Sequence, residues 1–116
     1  MEHPENGVIY IEFPGTDLPA LKQFYSQAFA WTFTDYGPGY TCFHGGAVAG
    51  GFTTDAKPAG AQGALVVLHN LDLEASRERV VQAGGKIVQE IFAYPGGRRF
   101  HFADPSGNVL AVCSEA

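Results

Sequence analysis

Two short stretches set chemically capable side chains at strand spacing. In RRFHFA, Arg99 and His101 stand two apart, with Phe100 and Phe102 on the other parity. Side chains alternate across a strand. If the phenylalanines enter a core, a guanidinium and an imidazole share the opposite face. In VIYIEF, Tyr10 and Glu12 stand in the same relation to Ile9, Ile11 and Phe13. A third stretch, ALVVLH, sets Leu65, Val67 and His69 against Val66 and Leu68. An imidazole and a carboxylate can move protons near neutral pH. His101 and Glu12 are therefore the candidate acid–base groups. Tyr10 offers a pocket wall or a hydrogen-bond donor to a ligand oxygen. Glu12 and Arg99 also admit a plainer reading as an ion pair, because both charges are costly to leave unpaired in a cavity.

The remaining reactive side chains read as structural. His44 precedes Gly45-Gly46 and suits a turn, and His3 lies in the terminal segment. Cys42 and Cys113 read as small hydrophobes, and they are too far apart in sequence and too few to suggest a disulfide framework or a structural zinc site. Trp31, Phe33, Tyr36 and Tyr40 belong to an aromatic-rich stretch that supplies core and some pocket wall. There is no G-x-S-x-G nucleophile motif. PGGRR and HGGAVAGG lack the lysine and the strand-to-helix context of a phosphate loop, so both read as hairpin turns.

The elements that would position these groups follow from periodicity. Alternation marks a strand at 8–13, ended by Pro14-Gly15. Asp17 can cap a helix whose Leu18, Leu21, Phe24, Tyr25 and Ala28 form an apolar stripe. Short strands are expected at 31–34, 40–44 and 47–53. Residues 54–62, TDAKPAGAQ, read as a linker. The pattern then restarts: a strand at 64–69, Asp72 as a second cap, a helix at 73–83 closed by Gly84-Gly85, and strands at 86–91, 98–103 and 108–113. The order strand–helix–strand–strand–strand occurs twice, a duplicated module of about 50 residues. One module cannot bury the exposed face of its sheet, whereas two together can enclose a cleft.

Composition agrees with one folded domain. The chain has 116 residues, 46% hydrophobic, with nine phenylalanines and 15 glycines. Seven basic against 12 acidic residues give a net charge of −5. With no basic stripe, nucleic acid and anionic membrane surfaces are not expected partners. No apolar run has the length of a membrane span, and MEHPENG has no signal-peptide pattern, so a cytoplasmic location is expected. The acidic balance mildly favours a cationic or neutral ligand.

VIYIEFPGTDLPALKQFYSQAFAWTF, LDLEASRERVVQAGGKIV and FADPSGNVLAV together resemble the vicinal oxygen chelate superfamily, which includes glyoxalase I, bleomycin-resistance proteins and extradiol dioxygenases. The resemblance implies an α+β fold of two tandem βαβββ modules. They form a cup-shaped, partly open mixed sheet with helices packed outside, often as a homodimer. Module one would span about 7–53, the linker 54–62 and module two about 63–115. The cup interior would bind a small molecule. In metal-dependent relatives, His, Glu or Gln at four interior strand positions hold a divalent ion. Those positions fall here on Tyr10, the Gly50-Gly51 region, Leu65 or Val67, and Ala111. Tyr10 is a ligand only when ionised, and the others have no donor side chain, so no metal or other cofactor is expected. The ligand face would comprise Tyr10, Glu12, Leu65, Val67, His69, Arg99, His101 and Ala111. The leading expectation is a metal-free binder of an apolar or aromatic molecule with a polar handle. The alternative is a glyoxalase-like lyase, isomerase or dioxygenase. It would use a divalent metal relocated to Glu12, His69, His101 and one further group, or a Glu12/His101 acid–base pair.

Overall fold

The computed structural model describes residues 5–115. His3 lies outside them. Strand β1 (Tyr10–Pro14) leads into helix α1 (Leu18–Phe29), then β2 (Thr32–Asp35), β3 (Tyr40–His44) and β4 (Ala49–Thr53). After a short 3-10 turn at Gly60–Gln62 come β5 (Val66–His69), α2 (Leu73–Gln82), β6 (Lys86–Tyr94), β7 (Gly97–Ala103) and β8 (Val109–Ser114). The two halves share one topology. Their four-stranded mixed sheets run β1-β4-β3-β2 and β5-β8-β7-β6, with a parallel first pair and antiparallel pairs after it. The fold is α+β, two βαβββ modules forming a partly open cup. Among the described residues no helix is long and apolar enough to cross a membrane.

The helices form where caps and stripes coincide. Asp17 caps α1 by accepting from the Ala20 N–H at 3.1 Å, and Asp72 caps α2 by accepting from Ala75 N–H at 3.1 Å. All five residues of the α1 stripe are buried. Helix α2 stops where Gly84 turns to φ +96°, and the Gly85 N–H donates back to the Val80 carbonyl at 2.9 Å. The helix-facing side chains of both sheets merge with α1 and α2 into one core. Phe24 and Phe29 of α1 lie 5.8 and 5.6 Å, centroid to centroid, from Phe102 of β7. Trp31 stacks between Tyr25 and Phe43, so it belongs mainly to this core.

Most element ends lie a residue or two from the sequence expectation, with β4 starting at Ala49 and β5 at Val66, and two differences bear on the site. Val8 and Ile9 precede β1, because its pairing with β4 begins only at Tyr10 opposite Ala49. Strand β6 continues past 91 to Tyr94, pairing Phe92 with Arg99 and Tyr94 with Gly97. Two register shifts lie within β6. Together they set Phe92, in place of Glu90, opposite Arg99, while Ile87 and Ile91 pack on the core.

One buried cluster joins the modules. In the turn before β8, the Asp104 carboxylate accepts from the Ser106 N–H at 2.9 Å and the Asn108 N–H at 3.0 Å. Its other oxygen accepts from Asn108 Nδ2 at 2.9 Å and from the Tyr25 hydroxyl of module one at 2.8 Å. Asn108 Nδ2 also donates to the Pro14 carbonyl at 2.8 Å, and Thr16 N–H donates to Ser106 Oγ at 2.9 Å. Burial holds the Tyr25 phenol well above its ordinary pKa and raises Asp104 as well. The phenol thus stays a donor. Asp104→Ala strands the Tyr25 hydroxyl and the Asn108 amide in the core. It should cost about 2–4 kcal/mol in urea unfolding, against about 1 kcal/mol for Tyr25→Phe, which leaves the carboxylate its other donors. Equal, small losses for the two variants would contradict this assignment.

Candidate functional site

With the odd residues of β1 and the even residues of β7 on the helix side, the helix-free faces carry the polar groups. On module one, Tyr10 and Glu12 of β1 lie beside Tyr40 and Cys42 of β3. The Tyr10 and Tyr40 hydroxyls are 2.5 Å apart, and the Tyr10 hydroxyl is 3.5 Å from Cys42 Sγ. Hydrogen bonds to the Cys42 thiol and then to the Tyr40 hydroxyl hold the Tyr10 phenol far above its ordinary pKa. Burial raises Tyr40, with Glu12 adding to the effect. Both phenols are therefore neutral across the physiological range.

On module two, strand pairing lays the side chains in rows. Val67, Ala111, His101 and Gln89 are successive partners across β5, β8, β7 and β6. His69, Cys113, Arg99 and Phe92 form the next row. The Arg99 guanidinium carbon sits 5.5 Å from the Phe92 ring centroid and 5.1 Å from that of Tyr94. The His101 ring is 5.8 Å from Phe92. Arg99 Nε and His101 Nε2 are both buried without a hydrogen-bond partner. Val67 is 43% exposed, and Leu65, just before β5, is also exposed. Ala111 is fully buried within its row.

The two polar groups sit on separate walls. Among the described residues, no hydrogen bond or ion pair joins Glu12 to Arg99 or to His101, so the expected ion pair does not form within the chain. His69 is exposed at the end of β5, and His44 Nε2 lies 3.0 Å from Thr34 Oγ1 on module one. Phe92 and Tyr94 were missed in the sequence, although the alternation in IFAY is a legible signal for extending that strand.

A divalent ion does not fit the residues at the positions the resemblance implies. Tyr10 stays protonated. Gly51, opposite Glu12, has no side chain, and a Cβ there would meet the Tyr40 and Tyr10 hydroxyls at 2.5 and 2.8 Å. The tyrosine hydroxyls thus occupy the space a ligand side chain would need. Val67 and Ala111 are direct partners across β5 and β8, and neither can donate an electron pair to a cation. Among the described residues, no three of His, Cys, Asp and Glu converge as a metal-holding group, and this includes Glu12, His69 and His101.

A family model, the Glyoxalase/Bleomycin resistance protein/Dioxygenase superfamily, matches residues 7–112. Among solved structures, the chain is similar to a glyoxalase-related enzyme from Fulvimarina pelagi, with TM-score 0.78 and 20% identity over 93% of this chain and 87% of that one. A glyoxalase/bleomycin resistance protein/dioxygenase family enzyme from Burkholderia phytofirmans PsJN gives TM-score 0.80 and 14% identity, covering 94% and 98%. TioX from Micromonospora sp. ML1 gives 0.74 and 17%, covering 95% and 99%. At such identities the likeness speaks to fold. No curated protein matches the chain significantly.

Burial, followed by the nearby charge of Arg99, holds His101 below the ordinary histidine pKa. The folded chain therefore binds fewer protons here than the unfolded chain just below about pH 6.5. The stability tied to His101 is complete above that pH and is lost as pH falls toward the folded value. The ring Cε1–H signal of His101, assigned by its loss in His101→Phe, should titrate with a midpoint below about 6.5. Arg99→Gln should raise that midpoint part of the way, since burial remains. A midpoint at or above the ordinary value would refute the environment described.

Proposed function

Because the chain belongs to the glyoxalase/bleomycin resistance protein/dioxygenase superfamily, we propose that it is a metal-free small-molecule-binding protein acting as a cytoplasmic homodimer. The ligand would be an apolar or aromatic compound with a polar handle, held against the helix-free faces. The observation that carries this reading is the module-two wall. It sets aromatic and aliphatic surface from Phe92, Tyr94 and Val67 around two polar side chains whose Nε and Nε2 atoms lack partners. An apolar surface with a few convergent polar groups is the usual design of a ligand site.

A second copy would complete the site. Strands β1 and β5 are both sheet edges, and both carry or adjoin exposed apolar side chains: Val8, Ile9 and Tyr10 at one, Leu65 and Val67 at the other. Bare edges of this kind are normally covered. Between the two strands lies a groove of about 400 Å³ lined by Ile11, Phe13, Trp31, Phe43, Val66 and Leu68.

A second reading, acid–base catalysis, is favoured by one observation: the pKa of His101 is lowered, so the ring is mainly neutral at pH 7. Glu12 would reach it only from another copy.

Three measurements test the leading reading. Analytical ultracentrifugation should give a dimer, and Val67→Asp should shift it to monomer by placing a charge on the edge. Thermal-shift screening should find apolar or aromatic compounds that raise the Tm. Elemental analysis of the purified protein should find no stoichiometric metal. A wild-type monomer that no compound stabilises would end the proposal, and so would bound stoichiometric Zn, Ni, Mn or Fe.

A further inference from the structure

Adjacent arginines on β7 meet opposite fates. Arg98 turns to the helix side and grips the Glu74 carboxylate through both terminal nitrogens, at 2.6 and 3.3 Å. Arg77 offers Nε and Nη2 to Glu90, each at 2.8 Å. Arg99 turns to the helix-free face, and among the described residues it has no carboxylate partner. The chain has 12 acidic residues against seven basic ones, so shortage of acid is not the reason. Two aromatic rings hold the guanidinium, and its Nε is buried. Arg99 as a whole is half-buried, and a buried guanidinium N–H without an acceptor is costly unless a ligand meets it. Two residues along, on the same face, His101 adds a second buried nitrogen without a partner.

The chemistry this arrangement recognises is narrow. A guanidinium edge matches the two oxygens of a planar carboxylate, as Arg77 demonstrates in this same chain. Phe92 and Tyr94 beside Arg99, and the exposed Val67 in the adjoining row, offer flat and apolar surface to whatever carries that carboxylate. The rows of Arg99 and His101 hold one arginine and no lysine, Lys86 standing a row beyond His101 opposite Ala103, which suits a monoanion better than a phosphate dianion. We propose that Arg99, with His101 and the Phe92–Tyr94 pair, binds the carboxylate of a planar aromatic or unsaturated monocarboxylic acid. This rests on the reading of the module-two wall as a ligand face and gives that ligand its handle. The local charge thus selects a partner opposite to the one the overall acidity favours.

Calorimetric titration of the intact chain with cinnamate and with cinnamamide isolates the charge. The two probes share a shape and differ in the carboxylate. Cinnamate should bind about tenfold or more tightly than the amide. Arg99→Gln should abolish that preference while leaving amide binding unchanged, and Arg99→Lys should keep only part of it. Circular dichroism of each variant checks the fold. Equal binding of the two probes to the wild type would overturn the carboxylate assignment and leave the ligand-face reading standing. So would stabilisation by other apolar compounds with no binding of either probe at millimolar concentration. If Arg99→Gln dissociates a dimer and neither probe binds, Arg99 pairs with Glu12 of a second copy, and the proposal is wrong.

Discussion

The Asp104 carboxylate is the point on which the two modules are registered. It accepts four hydrogen bonds, three within its own turn and one from Tyr25 of the first helix. A carboxylate can stay buried only when its lone pairs are met. This one is met only if β8 begins at the right residue and α1 lies at the right height. The same turn fixes Asn108, whose amide reaches the end of β1. Hydrophobic burial supplies most of the cohesion between the modules, but it is not directional. The Asp104 cluster is directional. It sets which residue of β8 stands opposite which residue of β5 and β7, and hence which side chains line the module-two wall.

That register explains how the wall works as a recognition surface. With Phe100 and Phe102 fully buried against the helices, alternation leaves Arg99 and His101 no other side to face. The neighbouring strand must then accommodate a guanidinium. The two shifts in β6 do so by setting Phe92 opposite Arg99, where an unshifted register from the Ile87–Phe102 pair would have set Glu90. Rings attract the cation without satisfying its donors, since each such contact is worth only about 0.5–2 kcal/mol. The result is an arginine held in place and still able to bond, which is the preorganisation a binding site needs.

Much of this was legible from the residues alone, where strong local rules apply. Asp17 and Asp72 each precede an apolar helical stripe, and both act as caps. The D-P-S-G-N turn carries its own hydrogen-bonding logic. The helix-side partition of β1, β5 and β7 follows from alternation, with Phe13, Phe100 and Phe102 buried and Val66 and Leu68 packed on the core. What was not legible depended on pairing between strands. The two register shifts that set Phe92 opposite Arg99 leave no mark in the alternation that strand reading relies on. The Tyr10–Tyr40–Cys42 contact joins residues 30 and 32 positions apart that meet only through β4. The separation of Glu12 from Arg99 was equally hidden, because parity gives a side chain its face and not the sheet it will look across.

The contrast between the two arms of the closing hairpin follows from these constraints. Ala111 lies in β8, flanked by Val67 on one side and His101 on the other. The resemblance places ligand-bearing residues on the strands β1, β4, β5 and β8, which pair in parallel along one edge of each sheet. In this chain those positions hold a protonated phenol, a glycine filled by phenol hydroxyls, and two aliphatic side chains. On module two, the polar capacity stands one strand further out, on β7, with its aromatic support on β6. Such a shift changes what the wall can hold. Side chains converging from the parallel strand pairs suit a compact cation, whereas an arginine and a histidine two residues apart on one strand present a linear set of donors. A linear donor set beside flat rings matches an extended, planar, negatively charged group. The blank arm of the hairpin, through the half-buried Val109 and Cys113, gives such a group an apolar surface to lie against.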